Sequence, residues 1–163
     1  MPDEPLLTDE VRENLKRDTT TISGQVTAVD IARFAYAVDD CNPLYLDEGY
    51  AQAAGFDSIV APPLFLMVPT RTDRPLSDLQ EDGTPPRTSP SEKLRRVVAG
   101  GTECEFFQHM RPGDTITATR RIVDSYEKRG RSGPLVFVVS ETAYRNQRDE
   151  KVAVMRFTSI HRP

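Results

Sequence analysis

The stretch SIVAPPLFLMV (58–68) is apolar almost throughout. Pro62 and Pro63 stand where a helix can begin, because proline's fixed φ suits a first turn and its missing N–H would lack an intrahelical partner there anyway. Leu64 to Val68 continue that helix, and a helix apolar on every side has to be buried. The remainder of the chain must therefore supply something to bury it.

Toward the C-terminus the cover is a sheet. Residues 70–95 are polar, carry Pro75, Pro85, Pro86 and Pro90, and read as a long loop. Beyond it come β segments at about 97–109, 114–127, 133–146 and 151–162, separated by RPGD (111–114), KRGRSGP (128–134) and NQRDE (146–150), each rich in turn-forming residues. This spacing predicts an antiparallel meander. LVFVV (135–139) is continuously apolar, whereas KVAVMRFTSI alternates Ala153, Met155 and Phe157 against Val154, Arg156 and Thr158. One face needs a cover, and the helix at about 63–69 is the element apolar enough to provide it. The expected architecture is α+β, a strongly curved antiparallel sheet wrapped around a central buried helix.

Toward the N-terminus, Leu6, Leu7, Val11 and Leu15 fall near helical spacing, and TTTISGQVT (19–27) is rich in β-branched residues and reads as a strand. In TAVDIARFAYAV, Thr27 and Asp30 form a capping pair, and Ile31, Phe34, Ala35 and Val38 fall at i, i+3, i+4, i+7. The pattern predicts an amphipathic helix ending near Asp39. Asn42-Pro43 breaks it, and a second short helix is expected over DEGYAQAA, stopped by Gly55. One domain over 1–163 is expected, with 1–18 as an N-terminal extension and 70–95 as a loop.

Hydrophobic residues make up 37% and charged residues 28% of the 163, with a formal net charge of -4, which argues against a sequence-independent nucleic-acid binder. The N-terminal residues show no apolar run of signal-peptide length, and nowhere do about 18 uncharged apolar residues run together, so neither a membrane nor a nucleic acid is an expected partner and a cytoplasmic location is expected. Cys41 and Cys104 are far apart and read as reduced thiols; with His109 and His161 the only histidines and no paired ligand spacing, no metal site is expected.

The run FAYAVDDCNPLYLDEGYAQAAGF…IVAPPLFL, followed by GGTECEFFQHMRPGDTITATRRIVDSYEKRGRSGPLVFVVSETAYRNQ, resembles MaoC-like dehydratases and (R)-specific enoyl-thioester hydratases, N-terminal-domain type, over about residues 20–160. The resemblance implies a hot-dog fold working as two hot-dogs side by side. Catalytic members carry D-x-N-P-x-H after the first helix, because hydrating an unsaturated thioester needs one group to take a proton from water and another to serve the α carbon. Asp40, Asn42 and Pro43 match; the histidine position is Tyr45. A phenol with a pKa of about 10 is a poor base at neutral pH, unlike an imidazole near about 6.5. Catalytic members also open the central helix with His-Gly, whose Gly N–H polarises the thioester carbonyl. The matching residues here are Pro62 and Pro63, which have no N–H, and Leu64 offers the first free amide.

Two elements of the chemistry are thus replaced, and the resemblance implies an acyl-binding, non-catalytic subunit of a heteromeric enoyl-CoA hydratase or 3-hydroxyacyl-thioester dehydratase. Its partner would be a second MaoC-like hot-dog subunit retaining D-x-N-P-x-H, in a dimer or a tetramer built as a dimer of heterodimers. No cofactor is expected beyond coenzyme A or an acyl carrier as part of the substrate. Lys128, Arg129 and Arg131 at a turn are candidates for the coenzyme A phosphates or a solvated hairpin tip, as are Arg95 and Arg96 at the loop end. Asp40, without its histidine, either lines the substrate channel or satisfies backbone amides. Asn42 is expected to cap the Pro43 turn, RPGD to be structural, Glu103 and Glu105 to share an outer face, Phe106 and Phe107 to be core or interface, and both histidines to sit on the strand surface or an interface. The alternatives are an autonomous homodimeric hydratase or hot-dog thioesterase using Asp40, and a non-enzymatic acyl-thioester-binding protein.

Overall fold

A computed structural model describes residues 5–85, 89–91, 93–94, 96–131 and 133–163. Helix α1 (Asp9–Arg17) precedes strand β1 (Thr19–Gln25) and helix α2 (Ala28–Ala37); two short helices follow, α3 (Pro43–Leu46) and α4 (Glu48–Ala53). A 3-10 turn, Pro63–Met67, leads into the long loop, which holds a second such turn at Leu76–Asp78. Strands β2 (Arg96–Phe106), β3 (Thr115–Gly130), β4 (Gly133–Arg145) and β5 (Lys151–Arg162) complete a curved, unclosed antiparallel sheet in the order β1-β3-β4-β5-β2.

The helix ends follow the sequence signals. Thr27 Oγ1 accepts from the Asp30 N–H at 3.1 Å and donates to its carboxylate at 2.6 Å, a capping pair worth about 1 kcal/mol. Asp47 caps α4 by accepting from the Tyr50 N–H at 2.9 Å, and Gly55, with φ 93°, takes the left-handed conformation that stops it. Asn42-Pro43 does not simply break the chain: Asn42 Oδ1 accepts from the Leu44 N–H at 3.0 Å and Pro43 opens the one-turn α3.

The meander expected over all four C-terminal strands holds for β3–β4–β5, but β2 departs from it and pairs with β5 at the far edge. The connection 107–114 crosses the sheet end instead of forming a hairpin. It is held there by backbone bonds from Phe107 N–H to Val152 O, Ala61 N–H to Met110 O and Gly113 N–H to Val26 O, each 2.9 Å. Its RPGD turn is structural as expected, with Gly113 at φ 92° and the Arg111 N–H donating to the Asp114 carboxylate.

The larger correction concerns the central helix. It shrinks to the five-residue 3-10 turn Pro63–Met67, in which Phe65 and Leu66 are fully buried while Leu64 and Met67 are 55% and 54% exposed. Pro63 and Pro69 bracket it: neither can donate a backbone hydrogen bond, so the helix cannot extend past Val68. Burial of Phe65 and Leu66 stabilises by roughly 1.5–3 kcal/mol each. They join Ile31, Ala51, Ile116, Tyr144 and Ala153 in one core at one end of the sheet's inner face.

The other end of that face carries a separate core, Leu7, Leu94, Ile122, Val136 and Val138, against which Leu6, Val11 and Leu15 of the N-terminal segment pack. The alternation on β4 links the two: Val136, Val138, Ser140, Thr142 and Tyr144 are all buried on the same side. Between the cores the face carries Ser140 and Thr142, both buried.

Where the chain leaves the 3-10 turn it lies directly on β1. A Cβ built at Gly24 would come 1.7 Å from the Pro69 carbonyl oxygen, so that contact exists only because residue 24 has no side chain. Gly24→Ala is expected to cost about 2–4 kcal/mol in denaturant unfolding. Gly101→Ala, where an added Cβ meets nothing within 4 Å, is expected to leave the midpoint within about 0.5 kcal/mol of the parent.

Candidate functional site

Helix α2 positions Asp40 through its C-terminal turn. Asp39 adopts φ 55°, the Asp39 N–H donates to Tyr36 O at 3.3 Å, and the Asp40 N–H donates to Ala35 O at 2.9 Å. This is a Schellman motif with aspartate in the left-handed position, and it fixes the backbone of Asp40 rigidly against the helix. The Asp40 side chain is exposed, and among the described residues its carboxylate has no hydrogen-bond or ion-pair partner. Asp40 therefore does not satisfy backbone amides, the structural role open to it from sequence; Asn42 does that work.

Tyr45 lies on α3, half-buried against the first core. Burial pushes its phenol above the ordinary tyrosine range, and the negative charge of Asp40 pushes it further. The two side chains thus share one electrostatic environment, and the tyrosine stays a neutral hydroxyl at every physiological pH. Val60 N–H donates to Leu44 O at 3.0 Å, which ties α3 to the segment running into Pro62 and Pro63. The first hydrogen bond of the 3-10 turn, from Phe65 N–H to Pro62 O at 3.0 Å, starts two residues after Pro63.

A cavity of 210 Å³ opens beside Pro63, walled by Ala61, Leu66, Phe106, Phe107 and Ala153. Phe106 and Phe107 are partly exposed, with the Lys151 ammonium 4.9 Å over the Phe107 ring. They lie at the end of β2, an edge strand exposed along nearly its whole length. On the outer face, Glu103 pairs in register with Arg156, and Glu105 lies two residues further along the same side, as expected.

The three cations of the β3–β4 hairpin do not converge. Lys128 sits 5.1 Å and 5.4 Å over the rings of Tyr126 and Phe137, which stack on each other with centroids 4.8 Å apart. Strand alternation turns Arg129 to the opposite side, and Arg131 lies in the turn itself. Arg96 opens β2, and Arg95 lies outside the described residues.

The histidines divide. His109 is exposed and meets Phe56 edge-on at 5.3 Å, matching a surface position. His161 corrects the expectation: it is only 5% exposed, on the inner face of β5, and burial lowers its pKa. The missed signal is the period-2 alternation from Ala153 through Met155, Phe157 and Ser159 to His161, which puts them all on the core side. Among the described residues no group of three or more His, Cys, Asp or Glu could hold a metal ion, and no helix is long and apolar enough to cross a membrane.

A curved antiparallel sheet over a short central turn, with an Asp-x-Asn-Pro loop after the first long helix, defines a hot-dog protein of the dehydratase type. The FAS1-like dehydratase domain region matches residues 16–155, and the chain belongs to that family, among the MaoC-like hot-dog dehydratases. It is 31% identical over 137 residues to a probable enoyl-CoA hydratase alpha subunit from Thermomonospora curvata, covering 78% of this chain and 42% of that protein. The chain thus spans less than half the length of that relative. One protein in the ChsH1-ChsH2 complex from Mycobacterium tuberculosis superposes with a TM-score of 0.73 at 23% identity, over 94% of this chain and 89% of the other. A MaoC-like dehydratase from Rhodospirillum rubrum gives 0.61 at 22% identity, over 90% and 92%.

The Tyr45–Asp40 coupling has a direct check. Asp40→Asn removes a charge that opposes phenolate formation, so the Tyr45 pKa, followed by NMR of a tyrosine-labelled sample, is expected to fall. It should stay above the ordinary tyrosine value, because burial is the larger cause and remains.

Proposed function

We propose that this chain is the acyl-binding, non-catalytic subunit of a heteromeric enoyl-CoA hydratase or 3-hydroxyacyl-thioester dehydratase, its partner a second hot-dog subunit carrying the intact D-x-N-P-x-H. The observation that carries the reading is Tyr45 held neutral beside Asp40 where the reaction calls for an imidazole. A carboxylate alone can take one proton; the second group needed to serve the other end of the double bond is absent from this loop. The proline pair at 62 and 63 supports it further, since the amide that would polarise the thioester carbonyl is replaced by a residue without N–H.

The acyl group is assigned to the 210 Å³ cavity beside Pro63, whose wall of Phe106 and Phe107 belongs to the exposed end of β2. That edge presents unpaired backbone groups to a neighbour, and a second sheet placed there would close the cavity. The naming of one relative as an alpha subunit and of a structural neighbour as part of a two-component complex is in keeping with this assembly. Coenzyme A or an acyl carrier would deliver the thioester, and Lys128, Arg129 and Arg131, being spread over two sides of a hairpin, are poor candidates for a single phosphate clamp. The unpartnered carboxylate of Asp40 favours one other reading, an autonomous hydratase or thioesterase in which it acts as the sole base.

Co-expression with a short MaoC-like protein that retains D-x-N-P-x-H separates the two. The heteromer is expected to hydrate enoyl-CoA more than about tenfold faster than the partner alone, and Asp40→Asn in this chain is expected to change kcat less than about threefold. Turnover by the isolated chain that disappears in Asp40→Asn would establish the autonomous enzyme instead.

A further inference from the structure

Both hydrophobic cores lie on the inner face of the sheet, and the outer face carries a pattern of its own. On β4 the buried Ser140 and Thr142 alternate with the half-buried Val139, Glu141 and Ala143, which point outward. The strand registers align Glu141 with Arg121 of β3 on one side and with Arg156 of β5 on the other, and align Arg156 in turn with Glu103 of β2. One row across four neighbouring strands thus reads Arg, Glu, Arg, Glu, with charges that alternate in sign.

Within the chain only the middle of this row is satisfied. Arg121 Nη2 donates to Glu141 Oε1 at 2.7 Å and Arg156 Nε donates to Oε2 at 3.0 Å, so one carboxylate, only 13% exposed, serves two guanidinium groups. Arg121 and Arg156 stay 63% and 59% exposed. Glu103 is exposed, and no described residue hydrogen-bonds or ion-pairs its carboxylate. The row therefore ends in an under-used cation on β3 and an unused anion on β2. Three strand spacings, about 14 Å, separate the two, too far for them to meet in one chain.

A twofold axis normal to the face, passing between β4 and β5, reverses the row and sets every charge against its opposite. Arg121 then faces Glu103 of the second copy, Arg156 faces Glu141, and both contacts occur twice, as in any isologous interface. The flanking rows bring Val139 against Val154 and Ala143 against Thr158, a less polar surround for the central charges. At the corners Asp124 lies opposite Glu105, where the two faces curve apart and salt screens like charges.

We propose that the outer face of the sheet is a twofold interface between two copies of this chain, tied at its ends by Arg121–Glu103 pairs. It uses the side of the sheet opposite both cores and leaves the backbone edge of β2 free, so it does not rest on the hydratase reading.

Sedimentation equilibrium of the intact chain tests it, with a reversible monomer–dimer equilibrium expected. Glu103→Arg sets a cation against Arg121 at two places and is expected to weaken the dimer more than about tenfold, as is Arg121→Glu at the other end. An equimolar mixture of the two variants is expected to dimerise again, because each chain then offers the charge that the other needs. Arg121→Gln, which sets no new carboxylate beside Glu141, is expected to weaken the dimer about threefold and keeps the test decisive where Arg121→Glu does not fold. A parent chain still monomeric at about 100 μM overturns the proposal. So does a mixture of folded variants that stays monomeric. Loss of the dimer in Glu103→Arg with Arg121→Gln unaffected would place the association at the β2 edge and overturns it as well.

Discussion

Three prolines set the limits of this molecule. Pro62 and Pro63 open the segment that should traverse the inside of the sheet, and Pro69 closes it, so the chain between them makes a single 3-10 turn. Phe65 and Leu66 still anchor that turn in the first core. A turn of five residues lies against strands that run to 16, and other segments cover the rest of the inner face. The N-terminal segment packs Leu6, Leu7, Val11 and Leu15 over the uncovered end, and Leu94 returns from the long loop to the same core. A cavity of 520 Å³ lies beside that second core, lined in part by Leu15, Ile122 and Val138.

Pro69 ends the turn, and at its start Pro63 has no N–H to offer a thioester oxyanion. Tyr45 compounds this: in a half-buried position next to a carboxylate, its phenol is driven away from ionisation, not toward it. Asp40 keeps its place, fixed by the left-handed Asp39, with a carboxylate that no described residue hydrogen-bonds or ion-pairs. The loop keeps its Asp-x-Asn-Pro sequence, with tyrosine at position 45.

Much of this was legible in the sequence, for identifiable reasons. Helix α2 announced itself through Thr27, Asp30 and the spacing of Ile31, Phe34 and Ala35, and the strands through turn residues at their ends. Local signals do not reveal partners, so RPGD marked a turn without showing that 107–114 crosses over and delivers β2 to the far edge. The length of the central helix was misread because apolar composition suggested burial all round. Pro69 was the available counter-signal, and Leu64 and Met67 stand more than half exposed. Asn42-Pro43 looked like a break, yet a capping residue before proline is also how a helix starts, and α3 begins there. The burial of His161 was legible too, since the period-2 alternation from Ala153 carries it to the core side.

The central claim, that this chain lends an acyl surface to a partner which holds the one complete acid/base pair, is tested most directly by counting sites. Calorimetric titration of the reconstituted heteromer with a 3-hydroxyacyl-CoA product is predicted to give one thioester site for each pair of hot-dog subunits. Two equivalent sites per pair would contradict the account, because the Asp40 loop of this chain would then be binding a thioester by itself.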